Sequence, residues 1–512
     1  MARNHLTGGV MLHGRRIIYT DYDTVTKENV EQLVNDAMLV HSRNRQEIEI
    51  LYDYWRGKTA IENKTKEVRE EINHKVCENR AYEIERFFQG YVFGEAIQYV
   101  RRENSKSDVP DDEISADINA LNGYMTDVSK ASVDNELAEW LYVAGTSYRV
   151  VLPNENWSGD ESEAPFETYS MDPRNTFVVY HSGYKHQPVF AVNYVSLADG
   201  QTLFTVYTKD RYFRFTQGLP VGEIQLLRDE KLPLPVGVEE IPLYVGGEIP
   251  IIEYPADSPR LGVFEVVLDL LDAINEVQSN RMDDIVQFVN QFLAILGGTI
   301  SEEEWQKVNE NKLICVPDGV DAKYIGAAMK NTDVQVLKED LYMAILTICG
   351  LPNRNGSKST SDTGTAVTLR DGWQAAESRA KATEMTFKKS EKVFLRIVLD
   401  ILRKTVGTRL KVHDIEAHFT RRNYENIVSK AQVLTTMLDN AKIDPELAFT
   451  SSGMFVDPEA AYLQSKQYVE EQERKGYIID HTGKSTLSTM PPSPDEPRRQ
   501  STDPLSEVQV AY

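Results

Sequence analysis

The residues best placed to do chemistry lie between Gly350 and Thr360, where Gly350-Leu-Pro-Asn-Arg-Asn-Gly356-Ser-Lys358-Ser-Thr360 puts two glycines, a lysine and hydroxyls in the order of a phosphate-cradling loop. The chemistry would be nucleotide binding and hydrolysis. The spacing argues against it. Five residues separate the glycines instead of four, Ser357 parts Gly356 from Lys358, and the preceding segment has a helical pattern where a strand must aim backbone N–H groups at phosphates. His181 and His186 flank an expected hairpin turn, and His413 and His418 stand five apart on an expected strand, hence on opposite faces. Neither pair has metal-ligand spacing. Cys77, Cys315 and Cys349 are too scattered for a zinc site or a disulfide framework and read as free thiols in a reducing compartment. No serine occupies a Gly-x-Ser-x-Gly elbow, and carboxylate spacing nominates no acid–base pair. The expectation is a protein with no catalytic residue, no cofactor and no metal.

The elements around these residues give an α+β chain, mainly helical. With 512 residues, 41% hydrophobic and 26% charged, the composition is that of a globular protein with ample core. No apolar run approaches the roughly 18 residues that a membrane-spanning helix needs, and the first residues lack an apolar signal region, so a soluble intracellular chain is expected. After a mixed arm over 1–25, Thr26 is placed to cap a helix carrying Val30, Leu33, Val34, Ala37 and Met38. Helices are expected near 72–87, 114–127 and 131–143, with a polar loop over 103–116. Between 146 and 253 the period alternates, predicting one sheet domain that ends at the prolines of Ile249–Pro255.

From Gly262 to about Leu296 the apolar spacing predicts one helix roughly 50 Å long. A compact αβ insert follows to residue 335, with Glu302–Val308 helical and Lys312–Val316 and Lys323–Ile325 extended. A helix over 333–349 then ends at Gly350-Leu-Pro352. Asn353 to Thr365 contains no large apolar side chain and so reads as a polar loop between that helix and a longer one, Ala366 to Thr405. Residues 409–420 are expected to form a strand rejoining the earlier sheet. Helices follow near 425–440, 444–449 and 457–475, and the proline-bearing tail from Ser485 is expected to be disordered.

Charge is unevenly spread. The whole chain carries 56 − 79 = −23, which excludes a protein that grips nucleic acid over its whole surface. Residues 351–430 carry sixteen bases and nine acids, 16 − 9 = +7, whereas 258–300 carry six acids (Glu265, Asp269, Asp272, Glu276, Asp283, Asp284) against two bases. Solvated helix faces alone could produce either pattern.

The order of motifs resembles the portal proteins of tailed bacteriophages, of the type found in long-tailed phages of Gram-positive bacteria. The resemblance spans most of 26–475. It rests on Tyr52–Lys58, Gly90-Tyr-Val-Phe-Gly-Glu95, Met171–Tyr180, Val263–Phe292 with its Ser-Asn-Arg-Met-Asp-Asp pattern, Gly350-Leu-Pro352, Gly364-Thr-Ala366 and His418-Phe-Thr-Arg-Arg-Asn423. It implies a cyclic ring, usually of twelve subunits, at one capsid vertex of the virion, assembled in the host cytoplasm, through which double-stranded DNA is packaged and ejected. It further implies docking to a terminase motor, a head–tail connector, and the major capsid and scaffolding proteins, with no membrane partner.

By the same resemblance, residues 26–255 and 366–424 form the wing, 256–292 and 335–350 the stem, 293–334 the clip, 351–365 a tunnel loop and 425–475 the crown, with 1–25 an arm and 476–512 a tail. Asn353, Arg354, Asn355, Gly356, Ser357, Lys358, Ser359 and Thr360 become the DNA-facing loop residues, and the six stem acids become candidates for a phosphate-repelling channel wall. Lys388 and Lys389 are candidates for subunit pairing. Two other classes compete: a nucleotide-driven DNA-processing enzyme using Gly350 to Thr360, and a virion scaffold or adaptor that binds no DNA. Subunit count separates them, because only the portal reading requires a closed ring.

Overall fold

The computed structural model describes residues 14–67, 70–102, 111–197, 200–218, 237–289, 292–296, 306, 321–325, 331–353, 372–420, 427–440, 442–455, 458–474, 477–479 and 485–487. Two compact units divide the chain, Met1–Arg422 and Asn423–Tyr512.

In the first unit, strand β1 (Ile18–Thr20) precedes helix α1 (Val30–Trp55). Thr26 starts α1 through its backbone carbonyl, which accepts the Val30 N–H at 3.0 Å, not through its hydroxyl as the sequence suggested. The apolar face of α1 serves two cores. Val30, Leu33, Val34 and Ala37 pack on a large sheet, whereas Leu51, Tyr54 and Trp55 enter a helical core. Helix α2 (Arg80–Phe93), strand β2 (Gln98–Arg101) and helices α3 (Asp111–Asp127) and α4 (Lys130–Ala144) follow. α3 begins inside the stretch expected to be loop.

The alternating region makes two sheets rather than one. β3 (Thr146–Pro153) and β4 (Phe166–Met171) join β10 (Ile251–Pro255) in the order β10-β3-β4. β5 (Thr176–His181), β6 (Pro188–Ser196), β7 (Thr202–Tyr207), β8 (Arg211–Gln217) and β9 (Glu239–Pro242) form an antiparallel meander, to whose β5 edge β1 adds in parallel. Its core face carries Phe177, Phe190, Phe204, Phe213 and Phe215, each burial worth about 2–3 kcal/mol.

A 3-10 turn (Glu265–Val267) leads into α5 (Leu268–Val289). This helix is shorter than expected: Phe292–Leu296 is strand β11, paired antiparallel with β12 (Asp321–Ile325). Of the expected insert elements, Lys323–Ile325 is extended as read; Lys312–Val316, and all of Glu302–Val308 but Gln306, lie outside the described residues. Helix α6 (Asn331–Cys349) returns, and helix α7 (Trp373–Thr405) follows. β13 (Ile415–His418) pairs with β2, not with the earlier sheets.

Helix α7 is tied to the rest by a buried ionic cluster. Glu391, fully enclosed, takes Lys130 Nζ at 2.9 Å and the Tyr254 hydroxyl at 2.8 Å, while Arg149 bridges Glu391 and Asp134. Burial alone would raise the Glu391 carboxyl, but Lys130 and Arg149 hold it well below the usual range. Four distant elements therefore share one set of charges.

The second unit contains α8 (Ile427–Leu438), α9 (Pro445–Ser452), α10 (Pro458–Arg474) and a hairpin of β14 (Tyr477–Ile479) with β15 (Ser485–Leu487). Asp444 caps α9 by accepting the Glu446 N–H at 2.9 Å, with Pro445 in the first turn. The hairpin's second strand, β15, falls where the sequence suggested a disordered tail from Ser485; the run Tyr477-Ile478-Ile479 was too short to register. Residues 488–512 lie outside the described residues.

Candidate functional site

α5 and α6 form an antiparallel pair, because Arg281 reaches Gln335 at one end (3.0 Å) while Phe264, Val267 and Leu271 share a core with Ile345, Leu346 and Cys349 at the other. An extended segment holds α5 through its side chains. Val76 N–H donates to Ser279 Oγ (2.9 Å), Glu78 N–H to Asn275 Oδ1 (2.8 Å) and His74 N–H to Asp283 Oδ1 (2.7 Å). Alternate residues of an extended chain are about 6.6 Å apart and residues four apart on a helix rise about 6 Å, so the two repeats match. Asn275, Ser279 and Asp283 are all buried.

The six acids separate into two sets. Glu265, Asp272 and Asp283 are buried and used within the subunit, so they cannot form a solvent-facing wall; this corrects the sequence reading. Glu265 binds Arg15 at 2.8 Å and caps the Gly14 and Gly262 N–H groups. Asp272 takes the Tyr54 hydroxyl at 2.8 Å, and burial pushes its carboxyl up to about 6 against that hydrogen bond. Asp283 pairs with Lys64 at 2.8 Å and Lys66 at 2.6 Å. Burial opposes its ionisation, yet the His74 N–H and the two lysines hold it well below the usual carboxylate range.

Asp269, Glu276 and Asp284 are exposed, and steps of seven and eight residues put them on one face of α5. α6 adds exposed Asp333, Glu339 and Asp340, which the sequence reading did not single out. Its exposed side also carries Val336, Leu337, Met343 and Ile348.

α6 ends at Gly350, whose φ of +71° turns the chain out of the helix. A helix, not a strand, thus precedes the first glycine of the loop, and the phosphate-cradle geometry has no aiming strand. The chain re-enters α7 beside its exit: a Cβ at Gly372 would stand 3.5 Å from the Leu351 carbonyl oxygen and 3.7 Å from Pro352 Cα. Leu351 and Pro352 therefore lie beside Gly372, although 353–371 separate them in sequence. Asn353 donates to the Met343 sulfur at 3.4 Å; Arg354, Asn355, Gly356, Ser357, Lys358, Ser359 and Thr360 lie outside the described residues. Lys388, half-buried, reaches Glu416 of its own chain at 3.5 Å, which leaves Lys389 as the exposed member of that pair.

A family model described as "Phage portal protein, SPP1 Gp6-like" matches residues 40–476. The chain belongs to the phage portal protein family. The family is a structural one, and its members are virion components. Solved structures similar to this portal chain include the neck of an empty GTA particle computed with C6 symmetry (12% identity, TM-score 0.43, covering 73% of this chain and 90% of the other). The neck of a native GTA particle computed with C12 symmetry is similar at 11% identity and TM-score 0.41, covering 73% and 89%. No curated protein matches the chain.

His413 contacts Asp414 at 3.2 Å, and His181 and His186 stand at the β5–β6 turn. Among the described residues no group of three or more His, Cys, Asp or Glu could hold a metal ion, and no helix is long and apolar enough to cross a membrane. Cys77 and Cys349 are free; Cys315 lies outside the described residues. The polar ladder on α5 was missed because Asn275, Ser279 and Asp283, one turn apart, have the spacing of a solvated face.

Proposed function

We propose that copies of this chain close into a ring around an axial channel for double-stranded DNA. The α5–α6 pair would form its wall and residues 351–365 the tunnel loop reaching into it. The observation that carries this reading is the meeting of Leu351 and Pro352 with Gly372 at the base of the acid-faced helix pair. The sequence between these two ends bears Arg354 and Lys358. Weak, base-independent contact suits transit, because each neutralised phosphate releases counterions and adds affinity that would pin the duplex. Asp269, Glu276 and Asp284, with Asp333, Glu339 and Asp340, would repel phosphates, while Val336, Leu337, Met343 and Ile348 supply apolar area for neighbouring copies.

The docking partners of such a ring would be a terminase motor, a head–tail connector, and capsid and scaffolding proteins, with assembly in the host cytoplasm. Motor chemistry would belong to the terminase. Single-particle images of the purified full chain test the reading: a closed ring of about a dozen copies with a central hole is expected. Monomers or dimers at every concentration would overturn it.

A further inference from the structure

Helix α7 keeps one face uncovered. Met385, Lys389, Lys392 and Arg396 follow one another at steps of four, three and four residues, which sets them on a single exposed stripe about 16 Å long. Every exposed charged residue of α7 is a lysine or an arginine. Two acids from other elements pair with bases here: Glu416 on β13 meets Lys388 at 3.5 Å, and Glu248 meets Arg396 at 2.7 Å. Lys389 and Lys392 are left with no ion pair or hydrogen bond among the described residues.

The opposite charge is gathered elsewhere on the same unit. Between Arg149 and Arg174 the sequence holds no lysine, arginine or histidine. The β3–β4 loop, 154–165, exposes Glu155, Asp160, Glu161 and Glu163, and none of the four forms an ion pair among the described residues. The loop is nevertheless held in shape. Trp157 Nε1 donates to the Asp160 carbonyl at 3.0 Å, and the Tyr124 hydroxyl donates to the Glu161 carbonyl at 2.7 Å. A preformed acidic tip loses little freedom on docking.

We propose that the α7 stripe of one copy docks the β3–β4 loop of the next. The contact rests on the ring closure proposed above and names one of the surfaces that would make it. Each patch crowds like charges that the subunit does not neutralise, and the same chain carries the complement of each. Because the two patches differ, the contact is head-to-tail: every copy offers one of each, which generates a ring where a self-complementary patch gives a two-fold dimer. Met385, 69% exposed, and the half-buried Trp157 give the two patches an apolar member each, and thioether sulfur packs favourably on aromatic rings.

Exposed ion pairs contribute little one at a time, so charge reversal, which turns attraction into repulsion, is the sensitive probe. The test uses the full chain as two variants, Lys389→Glu with Lys392→Glu, and Glu155→Lys with Glu161→Lys. All four side chains are exposed and without hydrogen bonds among the described residues, so circular dichroism should match the parent. In native mass spectrometry at low salt, each variant alone should need about tenfold more protein than the parent to form rings. Mixed in equal amounts they should recover the parent's assembly, because the reversed stripe of one meets the reversed loop of the other, and isotope-labelled copies should enter the ring in equal numbers. Parent rings with unaffected variants, or variants that fail alone and also fail together, would overturn this contact and leave the ring reading standing. Variants that keep their rings but lose binding to a short duplex would assign the stripe to DNA and overturn it likewise. A parent that never closes into rings would overturn the ring reading itself, and this contact with it.

Discussion

Asp283 on α5 accepts the His74 backbone N–H at 2.7 Å and lies 2.8 Å from His74 Nδ1, across 209 residues of sequence. With Ser279 and Asn275 it fixes an extended strap to a helix without any β-pairing. The strap, Lys64 and Lys66 bring the residues after α1 onto α5, so positioning of that helix depends on contacts made far away in sequence.

Removing the middle acceptor should loosen the strap. Ser279→Ala leaves the half-buried Val76 N–H without its partner, a loss of about 1 kcal/mol. Urea unfolding should show that decrease, and amide exchange should accelerate at Val76 on the strap ahead of α5. Asp283→Asn should be costly only where the carboxylate is ionised. Its folded value is depressed below the ordinary 3.8, so its contribution is present above that pH and lost as pH falls below it. Parent and Asp283→Asn stabilities should therefore converge in acid; a constant gap from pH 7 downward would contradict the ion-pair account.

Glu85 carries the opposite sign. It is fully buried, with one oxygen on the Trp55 indole N–H at 3.0 Å and the other without a hydrogen-bond partner. Burial pushes the carboxyl up to about 7, with Trp55 and Arg86 acting against it. A raised acid favours the folded state while protonated, so its contribution is lost as pH rises from about 4.5 through about 7. Glu85→Gln should be nearly neutral at the lower limit and relatively stabilising above the upper one, by on the order of 2 kcal/mol. Thermal unfolding of both proteins across that window checks the direction.

Much of the architecture was legible because period and punctuation agreed. The strands at Thr202–Tyr207 and Arg211–Gln217 alternate, Thr176–His181 is a β-branched and aromatic run, and α6 ends at the glycine and proline that announced its end. Phe292–Leu296 misled because five consecutive apolar residues satisfy helix and strand periods alike, and only pairing with Asp321–Ile325 decides. Gln98–Arg101 was invisible for a related reason: four residues carry too little pattern, and its partner Ile415–His418 is over 300 residues away. The buried acids could not be told from exposed ones, since Glu265 needs Arg15 and Asp283 needs Lys64 and Lys66, all remote in sequence.

Gly145 shows how tightly the base of α5 is set. It ends α4 with φ +77°, and a Cβ there would lie 2.1 Å from the Arg260 carbonyl oxygen. Gly407 has φ +78° with nothing within 4 Å of its Cβ direction. Both alanine variants meet the left-handed backbone cost of about 1–2 kcal/mol, but only Gly145→Ala must also displace the 260–262 segment that leads into the 3-10 turn. Gly145→Ala should be the more destabilised in urea by at least about 1 kcal/mol. Equal losses would mean that the close approach at Arg260 is easily relieved.

The exposed acid face makes the last prediction, on DNA rather than on folding. If Asp269, Glu276 and Asp284 repel phosphates, then Asp269→Asn, Glu276→Gln and Asp284→Asn together should raise the affinity of the assembled protein for a short duplex. The side chains are exposed, so unfolding midpoints should change by less than about 0.5 kcal/mol equivalent. The effect should be largest near 50 mM salt, where the screening length is about 14 Å, and should fade near 1 M, where it is about 3 Å. Anisotropy titrations at both salts separate the possibilities. Unchanged affinity at low salt would place these acids away from the duplex path, whereas a gain that persists at high salt would point to new direct contacts by the amides instead of relieved repulsion.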